Sequence, residues 1–397
     1  MATCIVQGTG GSGKGLVIDA PVVNIETGFP VKKGQILYKR QELVKLTDPA
    51  TLPQSAGYDC SFSSDGNYLA VVYGTSPFII IYKRNGDVFE KLANPATLPT
   101  GFGRGCFFSQ DGNYLAVAHE VSPFVTIYKR NGDTFTKLAN PAAIPAGISN
   151  KCSFSPDGNY LAVAHNTSPF VTIYKRNGDA FTKLANPGAL PQNSGYDCSF
   201  SPDGNYLAVI SNTSPFVLIY KRDGDAFTKL ANPEALPVGS SNGCSFSPDG
   251  NYLAVVHNLS PFVTIYKRNG DVLEKLANPE VLPVGISNGC SFSPDGNYLA
   301  VVHNTSPFVT IYKRNGDTFK KLANPATPPT ENCRRCLFSQ DGNYFGVATS
   351  VSPFIMIYGN LTLFNFVPVF GADDVHIALE SGNGNSPIKA NYIKLAE

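Results

Sequence analysis

The sequence predicts an all-β fold, a seven-bladed β-propeller of 46-residue repeats. Three observations carry it. A segment close to CSFSPDGNYLAV (152–163) recurs from Cys60, Cys106, Cys198, Cys244, Cys290 and Cys336, at an unbroken spacing of 46 residues. Each repeat holds four short runs rich in β-branched and aromatic residues, bounded by turn formers. No stretch shows a 3.6-residue apolar period, so helical solenoids are excluded.

In the unit from 134 to 179 the runs are TFTKL (134–138), KCSFS (151–155), NYLAVAH (159–165) and FVTIYKR (170–176). SPDG places Pro156 at the second position of a type I turn and Gly158 at a left-handed position closing a hairpin. RNGD is an Asn-Gly turn leading to the next unit. NTSPF is a short link in which Pro169 fixes the start of a strand. ANPAAIPAGISN is the longest link. The strands are apolar on both parities, as Leu161 and Val163 against Tyr160, Ala162 and Ala164 show. Both sheet faces must therefore be covered, and neighbouring blades can cover them.

FSPDGNYLAV resembles the second and third strands of WD-repeat-like β-propellers, over roughly residues 37–358. The chain has no tryptophan, so the Trp-Asp signature of that group is missing. Closure follows from counting. Lys-Leu-x-Asn/Asp-Pro begins at Lys45, Lys91, Lys137, Lys183, Lys229, Lys275 and Lys321, each followed by its Cys module, and the last unit stops at Tyr358. The final blade thus lacks one strand, and ELVKL (42–46) is expected to supply it, leaving no free sheet edge. The expected organisation is an N-terminal arm (1–36), the propeller (37–360) and a C-terminal β extension (361–397), the two ends forming one small subdomain suited to attachment.

Only 15% of the residues are charged and the net charge is +1. That argues against a nucleic-acid binder. No apolar run is long enough to span a membrane, and the N-terminus lacks the pattern of a secretory signal. Seven cysteines at one repeat position read as small buried hydrophobes rather than a disulfide framework.

The PDGNY and YKRNGD turns barely change between copies. Two other links do change, and a four-stranded meander brings them to one face. The long link reads QSAGYD, TGFGRG, AGISNK, QNSGYD, VGSSNG, VGISNG and TENCRR; the short link reads YGT, HEV, HNT, SNT, HNL, HNT and TSV. The candidate binding face taken from them comprises Tyr58, Tyr73, Phe102, Arg104, His119, His165, Tyr196, His257, His303, Arg334 and Arg335.

Chemistry-bearing motifs are weak. GTGGSGKG (8–15) has the glycines and lysine of a phosphate loop, but Gly15 stands where a Ser or Thr should hold magnesium, and no helix pattern follows. CRRC (333–336) is half a zinc site at most. The four histidines share one repeat position, and hydrogen bonding at a strand end accounts for them. The turn aspartates such as Asp157 sit singly, which suits turn bonds better than calcium. No cofactor and no catalytic or metal-binding residue is expected.

The YKRNGDTFTKLANP style of repeat also resembles propeller proteins of bacteriophage and prophage particles. That resemblance implies a non-enzymatic, virion-associated component whose partners are virion neighbours or a host-surface component. An intracellular interaction scaffold and a glycan-binding propeller, using Tyr58, Phe102 and Tyr196, are the alternatives.

Overall fold

The computed structural model describes residues 43–359 in full, and beyond them the backbone of strands lying within 4–41 and 364–394. The GTGGSGKG segment and Cys4 lie outside the fully described residues.

Seven four-stranded antiparallel sheets are arranged as blades. Blades 1 to 6 run 57–91, 103–137, 149–183, 195–229, 241–275 and 287–321. Within each, the Cys module forms the innermost strand, and the strands then follow outward in chain order. The unit quoted above from 134 to 179 straddles two sheets: Thr134–Lys137 is the outermost strand of blade 2, paired with Val125–Asn131. The innermost strands neighbour one another in sequence order, and that of blade 7 returns to that of blade 1. The ring is closed.

Blade 7 takes Cys333–Phe338, Tyr344–Thr349 and Ile355–Gly359 from one end of the array and Val44–Lys45 from the other. Tyr358 pairs with Lys45 and Gly359 with Val44. The Leu46 N–H donates to the Ile357 carbonyl at 2.8 Å. The compact propeller unit is Val44–Gly359, with the two termini grouped in a second unit. Ile36–Gln41, which the sequence reading placed at the start of the propeller, pairs instead with Phe364–Val367 and Asp374–Ala378 in a separate five-stranded sheet.

The core lies between blades. In each second strand all six residues are buried. Tyr114, Ala116 and Ala118 of blade 2 pack on Cys152, Phe154, Leu161 and Val163 of blade 3. On the other face of blade 3, Tyr160, Ala162 and Ala164 meet Cys198, Phe200, Leu207 and Val209 of blade 4. Small residues on one blade thus accept large ones on the next, which holds the interface at interior density. Burial pushes the thiols at this interface upward, that of Cys152 to about 12. All eight described cysteines are free, including Cys333 and Cys336 of CRRC.

The two constant turns form a latch between blades. Within the SPDG turn of blade 3, the Ser155 hydroxyl donates to Asp157 Oδ1 at 2.5 Å, and the Asn159 N–H donates to the same oxygen at 3.0 Å. Asp157 Oδ2 receives Arg222 of blade 4 at 3.2 Å, and that guanidinium lies 4.7 Å over the Tyr160 ring. Asp225, at the end of the same blade-4 turn, accepts the Tyr160 hydroxyl at 2.6 Å and Lys175 at 2.7 Å. The arrangement recurs at six of the seven interfaces, with Arg84 and Asp87 of blade 1 gripping Asp341 and Tyr344 of blade 7; between blades 6 and 7 the sequence after Tyr358 lacks the Arg and Asp that form it.

The histidines are structural. His119, His165, His257 and His303 are fully buried. Each Nε2 lies 2.9–3.0 Å from the hydroxyl of Thr126, Thr172, Thr264 or Thr310 on the adjacent strand. Blades 1, 4 and 7 replace both partners together, with Tyr73 and Ile80, Ser211 and Leu218, and Thr349 and Met356.

Two outcomes follow. Leu46→Pro removes the closing N–H and should lower stability by about 3 kcal/mol; a thermal melt equal to that of the parent would contradict the closure. Burial also holds each of the four imidazoles at a pKa of about 4, below the ordinary 6.5. The unfolded chain therefore binds more protons between these values, so stability falls as pH drops from 6.5 toward 4. Each histidine contributes up to about 3 kcal/mol to that loss. Replacing His165 and His257 by Ser, the residue of blade 4 at that position, should halve the slope of melting temperature against pH in this window.

Candidate functional site

Seven innermost strands converge on a central channel, so one residue per blade occupies each level. At the position just before the blade cysteine the seven residues are Asp59, Gly105, Lys151, Asp197, Gly243, Gly289 and Arg335. Two carboxylates and two cations therefore share a layer across the channel, with glycines on three blades.

Asp59 is buried, and its Oδ2 accepts both the Lys151 ammonium of blade 3 and the Cys106 N–H of blade 2, the latter at 2.8 Å. Burial disfavours the charge on Lys151, but Asp59 and then Asp197 outweigh it and hold the amine protonated. Asp197, also buried, accepts the Cys198 N–H at 2.8 Å and the Cys244 N–H at 3.2 Å. Burial raises its carboxyl above the ordinary carboxylate range, while Arg335 and Lys151 oppose that rise. Arg335 donates to the Asn242 carbonyl at 2.8 Å, and among the described residues it has no carboxylate within ion-pair distance. A buried carboxyl with a raised pKa beside two cations can take a proton from water while the cations meet developing negative charge.

On the variable face lies a mouth of about 250 Å³, which Arg335 alone of this layer lines; Asp59, Lys151 and Asp197 line the channel on the turn side. Tyr58, Arg104, Asn150, Tyr196, Asn242 and Arg334 are among the groups lining it. Asn150, Asn242 and Asn288 each donate to a backbone carbonyl of the next blade, at 2.8–2.9 Å, which ties the rim together. Arg334 lies 4.2 Å over the Tyr58 ring, which meets Phe102 edge-on at 4.4 Å. Arg104 pairs with Glu120, its Nε at 2.8 Å. On the turn face, the channel widens into a chamber of about 340 Å³.

The structure therefore brings together Tyr58, Arg104, Tyr196, Arg334 and Arg335 of the expected binding face, with Phe102 behind them. Tyr73 and the four histidines are not on that face: strand pairing turns them into the blade interior, where each is at most 1% exposed. Asp59, Lys151 and Asp197 were missed. Their signal was available as a column of unlike charges, one residue before an otherwise constant cysteine. Among the described residues no cluster of three His, Cys, Asp or Glu is placed to hold a metal ion.

The buried pair makes a sharp test. Lys151→Met strands the Asp59 carboxylate and should cost about 3–5 kcal/mol. Asp59→Asn keeps an acceptor for the Cys106 N–H, so the double variant should recover most of that loss. Equal unfolding midpoints for the single and double variants would show that Lys151 does not neutralise Asp59.

Comparison with known proteins adds three findings. A family model described as a lactonase, seven-bladed beta-propeller, matches residues 60–244, just under half of the chain. Among solved structures, a hydrazine synthase chain of Kuenenia stuttgartiensis superposes with a TM-score of 0.61 at 16% identity, covering 79% of this chain and 98% of that one. No curated protein matches. The two matches support the seven-bladed propeller. The family match also overturns the expectation of a non-enzymatic virion component, because that family is named for an enzymatic activity. Neither match carries any likeness to a phage particle, a tail or a host-attachment protein.

Proposed function

We propose that the chain is a hydrolase of the lactonase type, opening a small cyclic ester at the charge layer of the central channel. The observation that carries this reading is Asp197, a buried carboxyl of raised pKa set beside Lys151 and Arg335 where all seven blades meet. The family match supports it, since its span contains Arg104, Lys151, Asp197 and Asn242.

The chemistry balances with these groups alone. Asp197 as carboxylate accepts a proton from water as the water oxygen bonds to the ester carbonyl carbon. Lys151 and Arg335 stabilise the charge that develops on the carbonyl oxygen, in a site where fixed donors need no reorganisation. The ring carbon–oxygen bond then breaks, and the proton held on Asp197 passes to the departing ring oxygen. The product is an open hydroxy acid. Asp59 acts as a positioning residue by holding the Lys151 ammonium in place.

Titration of released acid with a panel of small lactones should show turnover by the full chain. Asp197→Asn should reduce kcat by about 100-fold or more without altering the folded circular-dichroism spectrum. The base form of Asp197 is lost as pH falls through its raised pKa. The acid limb of kcat/KM should therefore lie above the pH at which an ordinary carboxylate titrates. Absence of turnover with every lactone, or a parent-like rate for Asp197→Asn, would refute the assignment.

A further inference from the structure

The turn-face chamber is lined by the same charge layer and, below it, by groups that break the repeat in a coordinated way. Two residues after the charge layer the seven blades carry Ser61, Phe107, Ser153, Ser199, Ser245, Ser291 and Leu337. Blades 2 and 7 alone place an apolar side chain there. The same two blades alone carry glutamine in the following turn, Gln110 and Gln340, where blades 3 to 6 have proline. All four of these residues line the chamber.

The substitution has a structural cost. At four of the five serine positions the hydroxyl accepts an edge N–H of the next blade, whereas Ser199 donates to the Phe200 carbonyl at 3.4 Å. Ser61 takes that of Phe108 at 3.1 Å, Ser153 that of Phe200 at 3.4 Å, Ser245 that of Phe292 at 3.2 Å and Ser291 that of Phe338 at 3.4 Å. Phe107 and Leu337 offer no oxygen to Phe154 and Phe62. Two blades flanking blade 1 thus forgo a stabilising bond and present apolar surface to a cavity instead. Phe107 rests partly on the core between blades 2 and 3, and its remaining surface together with Leu337 gives the chamber an apolar wall suited to an apolar group.

The opposite wall comes from blades 3 to 6 and is lined by the hydroxyls of Ser153, Ser199, Ser245 and Ser291. The charged residues around the chamber are Asp59, Lys151, Asp197 and Arg335, two of each sign. The four charges sum to zero, and a neutral molecule with one apolar face and a hydroxyl would meet both walls.

We propose that the turn-face chamber, bordered on one side by the charge layer, binds a small neutral hydroxylated aromatic molecule between its apolar and serine walls. Its ring lies against Phe107 and Leu337, and its hydroxyl bonds to the serine wall. The inference rests on the two walls and does not depend on the hydrolase reading of the charge layer.

Calorimetric and ligand-observed NMR titration with 2-naphthol tests it on the full chain. The parent should bind saturably. The Phe107→Ser/Leu337→Ser variant restores the residue found in the other five blades, so folding is retained, and it should bind at least tenfold more weakly. Ser199→Phe fills the opposite wall and should weaken binding by a similar factor through crowding. Tyr196→Ala, at the mouth, should leave 2-naphthol affinity unchanged, and 2-naphthoate should bind the parent at least tenfold more weakly. The proposal is overturned if the parent shows no saturable binding, if the double serine variant binds as the parent does, if Tyr196→Ala abolishes binding, or if the charged naphthoate binds equally well.

Discussion

The contact on which this ring depends is the latch between the YKRNGD turn of one blade and the PDGNY turn of the blade before it. Arg176, for example, reaches Asp111 while covering the Tyr114 ring at 4.5 Å, and Asp179 accepts that tyrosine's hydroxyl at 2.6 Å. An exposed ion pair contributes little alone. Here it is joined to a cation–π contact and to a turn already braced by its own serine, so the parts hold each other in register. A change in either turn would disturb its own hairpin and the neighbouring blade together. That double constraint explains why these turns stay alike while the links on the other face differ.

Because one face carries the latch, the channel and the opposite links are released from repetition. Closure brings seven innermost strands to one axis, and each channel level then holds one residue per blade. The carboxylates placed there are buried and the cations half-buried, and burying an unpaired charge is costly. Asp59 is met by Lys151, and Asp197 by backbone donors and the fields of Arg335 and Lys151. Gly105 and Gly289 leave room for Lys151 and Arg335, and Gly243 for the Asp197 carboxylate. The Gly289 Cα, for instance, faces Arg335 so closely that a Cβ would lie 3.1 Å from its Cδ.

Much of the fold was legible because its determinants are local and repeat at a fixed interval. The SPDG and RNGD turns, the doubly apolar strands and the missing strand of blade 7 all lie in short, contiguous text. The site was legible only in part. Tyr58, Arg104, Tyr196, Arg334 and Arg335 stood out because they fall in visibly variable links. Asp59, Lys151 and Asp197 did not, because their partnership exists only after closure: 92 residues separate Asp59 from Lys151. The histidines misled for the opposite reason. Their column borders a variable link, yet a strand carries it inward, and the matched threonines seven residues later were the sign of a buried pair. Function was misread because the particle-like resemblance lay in the repeat, which serves the ring and not the channel.

The two half-channels show how a repeated protein can acquire distinct chemistry on one axis. The charge layer is shared, but its surroundings are not. Toward the links it faces arginines and asparagines, and of these Arg104 alone among the lining arginines is paired with a carboxylate within the described residues. Toward the turns it faces serines, phenylalanines and no further charge. Blades 7, 1 and 2 depart from the common pattern on both sides, through Arg334, Tyr58 and Phe102 above and Leu337 and Phe107 below. Those departures cluster on neighbouring blades, where side chains can touch across one interface. Specific chemistry in a near-symmetric ring thus needs only a few adjacent blades to change, provided the latch on the turn face, present at six of the seven interfaces, keeps the others in place.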